Sequence, residues 1–86
     1  MNAKPVRFSA HAKQQLGFRG VREIEVVEAI RTAAWTSAEL LWLESAKDFP
    51  FRSEWHGVYY ETKRVRPIFV DEPGEIVVVT VYAYYF

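Results

Sequence analysis

The hydrophobic and polar positions of the chain follow a helical period in its first half and a strand period in its second. The clearest helical pattern lies between residues 21 and 34, where apolar positions recur every three or four residues and the glutamates mostly fall elsewhere. This apolar stripe consists of Ile24, Val27, Ile30 and Ala34. It predicts an amphipathic helix over residues 21–34.

A shorter helix is predicted over residues 10–18. Ser9 is a good N-cap for it, because a serine hydroxyl accepts a backbone N–H of the opening turn. Gly17 and Gly20 are expected to end this helix. The residues before Ser9 are predicted to be extended, since Pro5 disfavours an early helix.

The second half of the chain is typical of strands and turns. Residues 39–44 are apolar enough for either state and favour a strand, whereas residues 47–57 contain a proline and a glycine and are predicted to form an irregular loop. Residues 58–71 are β-rich and are interpreted as one long strand bent at Pro67. Residues 71–75 supply a turn.

The strongest strand pattern is the final one, over residues 76–85. Successive side chains of a strand point to opposite faces, so this strand has two rows. The wholly apolar row is Val77, Val79, Val81 and Ala83, and the row that becomes polar is Ile76, Val78, Thr80, Tyr82 and Tyr84. The apolar row is predicted to pack on the helices, and apolar residues on both sides predict a central strand.

These elements predict one α+β domain over residues 1–86, with two N-terminal helices packed on a small antiparallel sheet formed by the C-terminal half. Half of the 86 residues are hydrophobic and 16% are aromatic, as in a folded globular domain. The chain contains no cysteine and two histidines, which excludes disulfides, thiolate metal sites and multi-histidine zinc sites. No cofactor, no membrane segment and a cytoplasmic location are expected.

The formal net charge of zero conceals two basic segments. The first 22 residues contain five basic and no acidic residues, and a second cluster follows in the middle of the β-rich half. The second cluster consists of Lys63, Arg64 and Arg66. Either these charges form a solvated surface, or the fold brings them together to bind phosphates.

His11 is the candidate for chemistry in the first basic segment. It falls in the opening turn of the predicted helix, where backbone N–H groups attract anions, and histidine can exchange a proton near neutral pH. Gln15 would share its helix face, and Arg19 could bind a phosphate bidentately. This combination suits metal-free cleavage of RNA through its 2′-hydroxyl. The alternative is structural, with His11 bonding a neighbouring carbonyl to lock the helix onto the sheet.

The segments "FSAHA", "RGV", "EVVEAI" and "EIVVVTVY" carry a family resemblance across nearly the whole chain. The chain resembles a small bacterial family of domains of unknown function, itself similar to the RelE-like ribonuclease toxins. The resemblance implies a RelE-like fold and points to Ser9, His11, Arg19, Gly20, Thr80 and Tyr82. The chain departs from the family pattern in having Gln15 in place of an arginine and Arg22 in place of a serine that would cap the second helix.

Two functional hypotheses follow. In the first, the protein binds RNA and cleaves it without a metal: His11 is the acid or base, Arg19 clamps the phosphate, Thr80 and Tyr82 are supporting donors, and the substrate contacts are Gln15, Arg64 and Arg66. In the second, the same fold is a noncatalytic interaction or dimerisation module that uses its aromatic C-terminus, residues 82–86. The partners considered are therefore RNA, an antitoxin or other protein, and a second copy of the chain.

Overall fold

The computed structural model describes residues 4–86. Within them the chain forms two helices and six strands, and the predicted α+β class is confirmed. In chain order the elements are β1 (Val6–Phe8), α1 (Ala10–Arg19), α2 (Glu23–Thr32), β2 (Thr36–Ser37), β3 (Leu43–Glu44), β4 (Lys47–Trp55), β5 (Val58–Asp71) and β6 (Ile76–Tyr85). No helix in residues 4–86 is long and apolar enough to cross a membrane.

All strands belong to one sheet with the order β1-β6-β5-β3-β2, and β4 also pairs with β5. The pairs are antiparallel except for β1, which lies parallel to β6. The sheet is therefore mixed and not purely antiparallel as predicted. Its edge strand β1 comes from the N-terminus, whereas the prediction built the sheet from the C-terminal half alone. β6 lies between β1 and β5, as expected for a central strand.

α1 begins and ends with identifiable caps. The Ser9 hydroxyl accepts the Ala12 N–H at 3.0 Å, as predicted. Gly17 lies inside the helix and does not end it, because one helical glycine costs only about 1 kcal/mol. The helix ends at Gly20, which adopts the left-handed conformation (φ 69°). A Cβ at Gly20 would lie 2.5 Å from the Trp55 ring, so this position requires a glycine.

α2 is shorter than predicted and presents a different face. It starts at Glu23, two residues later than expected, and Ile24 is 66% exposed while Val26, Ala29 and Ile30 are buried. The predicted stripe is therefore wrong at Ile24, and Ala34 lies beyond the helix.

A buried ion pair explains why α2 buries a different face from the predicted one. The Lys63 ammonium of β5 donates to Glu25 Oε1 at 2.9 Å and to the Gly20 carbonyl at 3.0 Å. Glu25 also accepts the Arg22 N–H at 2.9 Å, so one carboxylate both caps the helix and receives the lysine. Burying two charges requires such pairing, and it turns Glu25 toward the sheet and Ile24 toward solvent.

A β-bulge in β6 inverts the predicted alternation of side chains. Phe69 of β5 pairs with Val78, but the preceding Ile68 pairs with Thr80, which leaves Val79 unpaired. Because a bulge adds one residue, the two faces exchange at that point. Consequently the buried positions of β6 are Ile76, Val78 and Val81.

The prediction that Val77 and Val79 pack on the helices is therefore wrong, since both are only half-buried. The prediction holds beyond the bulge, where Val81 is fully buried and Ala83 packs against the core. The core joins these side chains to residues of both helices and of β5, namely Ala12, Leu16, Val26, Ile30, Val65 and Phe69.

β4 replaces the loop predicted over residues 47–57. It lies at an edge of the sheet and pairs only with β5, so the missing N–H of Pro50 can be tolerated. The pairing is irregular between Pro50 and Ser53. The exposed His56 and Gly57 form the tight turn into β5, and β5 is the one long strand expected. Residues 39–44 supply only a two-residue strand after a turn.

Candidate functional site

The sheet face opposite the helices carries side chains of β5 and β6 that are polar or aromatic except for the buried Ile68. Cross-strand partners share a face, and three such pairs follow one another here. They are Arg64 with Tyr84, Arg66 with Tyr82, and Ile68 with Thr80. We call this surface the open face. Val78 and Thr80 would share a face in a regular strand. The bulge at Val79 separates them, so that Val78 is buried and Thr80 lies on the open face.

The start of α1 docks on the bulge. The Ser9 N–H donates to the Val78 carbonyl at 3.0 Å, and the Ser9 hydroxyl donates to the carbonyl of the bulged Val79 at 3.1 Å. Ser9 therefore connects the helix to β6 as well as capping it. As a result His11 Nε2 lies 3.2 Å from Thr80 Oγ1, a hydrogen bond whose donor depends on the imidazole tautomer.

Arg19 reaches the same face from the last turn of α1. His11, Gln15 and Arg19 are four residues apart, so they follow one side of the helix. The Arg19 Nε donates to Gln15 Oε1 at 3.3 Å, and its guanidinium lies 5.4 Å from the centre of the Tyr82 ring. The structure thus gives Gln15 the role of holding Arg19.

Arg66 approaches the same aromatic ring from β5. Its guanidinium lies 5.1 Å from the centre of the Tyr82 ring and donates to the Tyr84 hydroxyl at 2.7 Å. Tyr82 therefore contacts two guanidinium groups, each within cation–π distance.

A carboxylate shares the charge of Arg66. Glu44 of β3 lies 3.3 Å from Nε and accepts from Nη2 at 3.4 Å. The Nε contact is an ion pair without hydrogen-bond alignment, because Nε is buried and has no hydrogen-bond partner. Burial lowers the pKa of Arg66, but the hydrogen bond with Glu44 and the nearby charges outweigh it and the net direction is upward. Arg66 therefore stays charged.

Arg64 lies on the open face but is engaged by Asp48 of β4. Its Nε and Nη2 donate to the two carboxylate oxygens at 2.6 and 3.0 Å. This hydrogen bond holds the pKa of Asp48 below its ordinary value. The guanidinium also lies 5.2 Å from the centre of the Phe86 ring. Arg64, like Arg66, therefore shares its charge with a carboxylate.

A cleft of about 110 Å³ opens between the turn before β3 and the open face. Its polar lining residues are Glu39, Glu44, Arg66 and Thr80, and its rings are Trp42 and Tyr82. Trp42 therefore lines a cleft wall and does not belong to the buried core. His11 and Arg19 adjoin this cleft through their contacts with Thr80 and Tyr82.

The structure brings His11, Arg19, Thr80 and Tyr82 together, although they come from opposite ends of the chain. Ser9 and Gly20, which the family resemblance also indicates, have structural roles as the docking cap and the left-handed C-cap of α1. Sequence reasoning missed Glu44 and Asp48, whose partners are determined by strand pairing, and it did not predict the contact of Tyr84 with Arg66. Across residues 4–86, no three His, Asp or Glu side chains are grouped as metal ligands would be.

Comparison with protein-family models, curated proteins and solved structures finds no significant match to the chain.

Proposed function

We propose that the open face binds RNA and cleaves its backbone without a metal ion. One observation carries this proposal: a histidine hydrogen-bonded to Thr80 lies on the same surface as Arg19, whose guanidinium rests on Tyr82. A proton-exchanging group beside a cation is the combination that cleavage through the RNA 2′-hydroxyl needs.

The proposed reaction uses His11 as the base. It accepts the proton of the 2′-hydroxyl, and the 2′-oxygen forms a bond to the adjacent phosphorus. The bond from phosphorus to the 5′-oxygen breaks, and that oxygen takes a proton from the Tyr82 hydroxyl or from water. The products are a 2′,3′-cyclic phosphate and a 5′-hydroxyl. Thr80 orients the imidazole through its hydrogen bond.

Arg19 is the proposed phosphate clamp because neutral groups hold it. Its contacts are the Gln15 amide and the Tyr82 ring, so its positive charge remains available to an anion. Arg66 and Arg64 share their charges with Glu44 and Asp48. We therefore expect those two arginines to contribute less to phosphate binding than Arg19.

The test is cleavage of mixed RNA in EDTA, followed by analysis of the new ends. Wild type should produce 2′,3′-cyclic phosphate ends, and H11A and R19A should each abolish cleavage while remaining folded by circular dichroism. H56A removes the exposed turn histidine and K13A removes an exposed cation from another side of α1. Both controls should cleave like wild type. A wild type that is inert on every RNA, or an H11A protein that cleaves normally, would refute the proposal.

A second candidate function rests on the aromatic side of the open face. Tyr82, Tyr84 and Phe86 are 36%, 44% and 54% exposed in succession, and exposed aromatic rows are enriched at protein interfaces. This favours a noncatalytic module that binds a protein or a second copy of the chain. Under this reading wild type sediments as a dimer, the Y84A/F86A double variant sediments as a monomer, and neither cleaves RNA.

A further inference from the structure

We infer that the cleft beside His11 recognises a guanine base, an inference that rests on the proposed RNA-binding function. The cleft volume, about 110 Å³, is well below the roughly 300–1,000 Å³ of pockets that enclose drug-sized ligands. It suits a single ring system whose sugar and phosphate remain outside, toward Arg19 and His11.

The lining residues match the edges of guanine. Trp42 supplies an aromatic wall on which a base can stack. Glu39 is an exposed carboxylate at the cleft, and a carboxylate accepts from the adjacent N1–H and N2–H groups that only guanine presents together. Arg66 lines the same cleft, and its Nη1 and Nη2 each carry a second N–H besides the one donated to Tyr84 or Glu44. Arginine donates such N–H groups to guanine O6 and N7.

The other bases fit this lining less well. Adenine and cytosine each offer a single amino group to a carboxylate, and adenine presents an amino group where guanine has the O6 that arginine binds. Uracil offers one N–H flanked by two carbonyl oxygens, and a carboxylate repels both of these oxygens. A cleft that combines Glu39 and Arg66 therefore discriminates by hydrogen-bond polarity as well as by shape.

The test measures binding of oligonucleotides that the proposed reaction cannot cleave. Fluorescence anisotropy would compare 2′-O-methyl tetranucleotides in a uridine background that carry one guanine, adenine, cytosine, inosine or abasic position. We expect guanine to bind about tenfold more tightly than adenine, cytosine or uracil. Inosine lacks the N2 amino group and should lose most of this preference.

Two variants test the named residues. E39Q keeps the size of the side chain, should reduce the guanine preference severalfold and should leave binding of the abasic oligonucleotide unchanged. E54Q, which changes an exposed glutamate on β4, should retain the full preference. W42A should weaken binding of every base-containing oligonucleotide toward the abasic value.

Equal affinities for all bases, preference for another base, preference that survives E39Q, or no binding at all would each overturn the inference. The cleavage assay in EDTA separates this failure from that of the proposed function. Cleavage by wild type without base preference would leave the ribonuclease proposal standing while the guanine cleft fails.

Discussion

The bulge at Val79 makes a sharp prediction about two adjacent valines. Val78 is 0% exposed and belongs to the core, whereas Val79 is half-buried and unpaired in the ladder to β5. V78A should therefore destabilise the fold much more than V79A. A regular strand with the predicted alternation would give the opposite order, so the pair tests the bulge directly.

The magnitude follows from the side-chain atoms removed. Valine to alanine deletes two carbons, worth about 1.6 kcal/mol of transfer free energy at about 0.8 kcal/mol each. The residual cavity raises the loss at the fully buried Val78 to about 2–3 kcal/mol. At the half-buried Val79 we expect a loss below about 1 kcal/mol. Both changes lower strand propensity alike, so that contribution cancels in the comparison.

The assay is urea unfolding followed by tryptophan fluorescence, with thermal unfolding as a second measurement. A difference of about 2 kcal/mol corresponds to roughly 10 °C in melting temperature for a domain of this size. The slope of free energy against urea should stay unchanged in both variants. Equal losses, or a larger loss for V79A, would show that the bulge is misplaced.

Two further predictions concern ion pairs. K63M should lower the free energy of unfolding by about 3 kcal/mol in urea titrations, because it leaves the buried Glu25 carboxylate without its cation. Adding E25Q should recover part of that loss. A double variant as unstable as K63M would contradict this. The hydrogen bond to Arg64 lowers the pKa of Asp48 in the folded protein below its ordinary value of 3.8. The Asp48–Arg64 pair therefore stabilises the fold above pH 3.8, and this stabilisation is lost as the pH falls through the lowered pKa. R64Q should therefore flatten the decline in urea midpoint between about pH 5 and pH 2, and an unchanged decline would exclude this pair as a contributor.

The helices were predictable from local signals, whereas the faces of the elements were not. Ser9 gives α1 its start through a local hydrogen bond, and Gly20 gives it an end through backbone conformation. The face of α2 depends on Lys63, a residue 38 positions away from Glu25. No local pattern of apolar residues shows that a glutamate will point inward to meet it.

The last strand shows a similar division. Residues 76–79 are all apolar, so their pattern does not show which side of the strand is buried or where a bulge occurs. Thr80 and Tyr82 were correctly placed on one row because they lie beyond the bulge together. β4 was missed because its proline argues against a central strand, and the sequence does not reveal that the strand lies at an edge.

Part of the candidate site could likewise be anticipated. His11, Gln15 and Arg19 share a helix side through their spacing alone. Glu44, which shares the charge of Arg66, occurs in a short strand whose partner is set by tertiary pairing. Residue type and spacing therefore identified the basic side chains of the site, while their acidic partners emerged only from the fold.

The parallel pairing of β1 with β6 has a consequence for the order of folding and unfolding. The hydrogen bond between His11 and Thr80 joins positions 69 residues apart, whereas β4, β5 and β6 connect through adjacent hairpins. Closing so long a loop is entropically costly, so we expect the hairpins to form before the N-terminal segment docks. The same three-residue strand is the natural place for the fold to open locally. Separating His11 from Thr80 requires α1 to leave β6 together with β1, because Ser9 joins the start of the helix to Val78 and Val79. Such an opening would part the two halves of the site while the hairpins of β4, β5 and β6 stay paired.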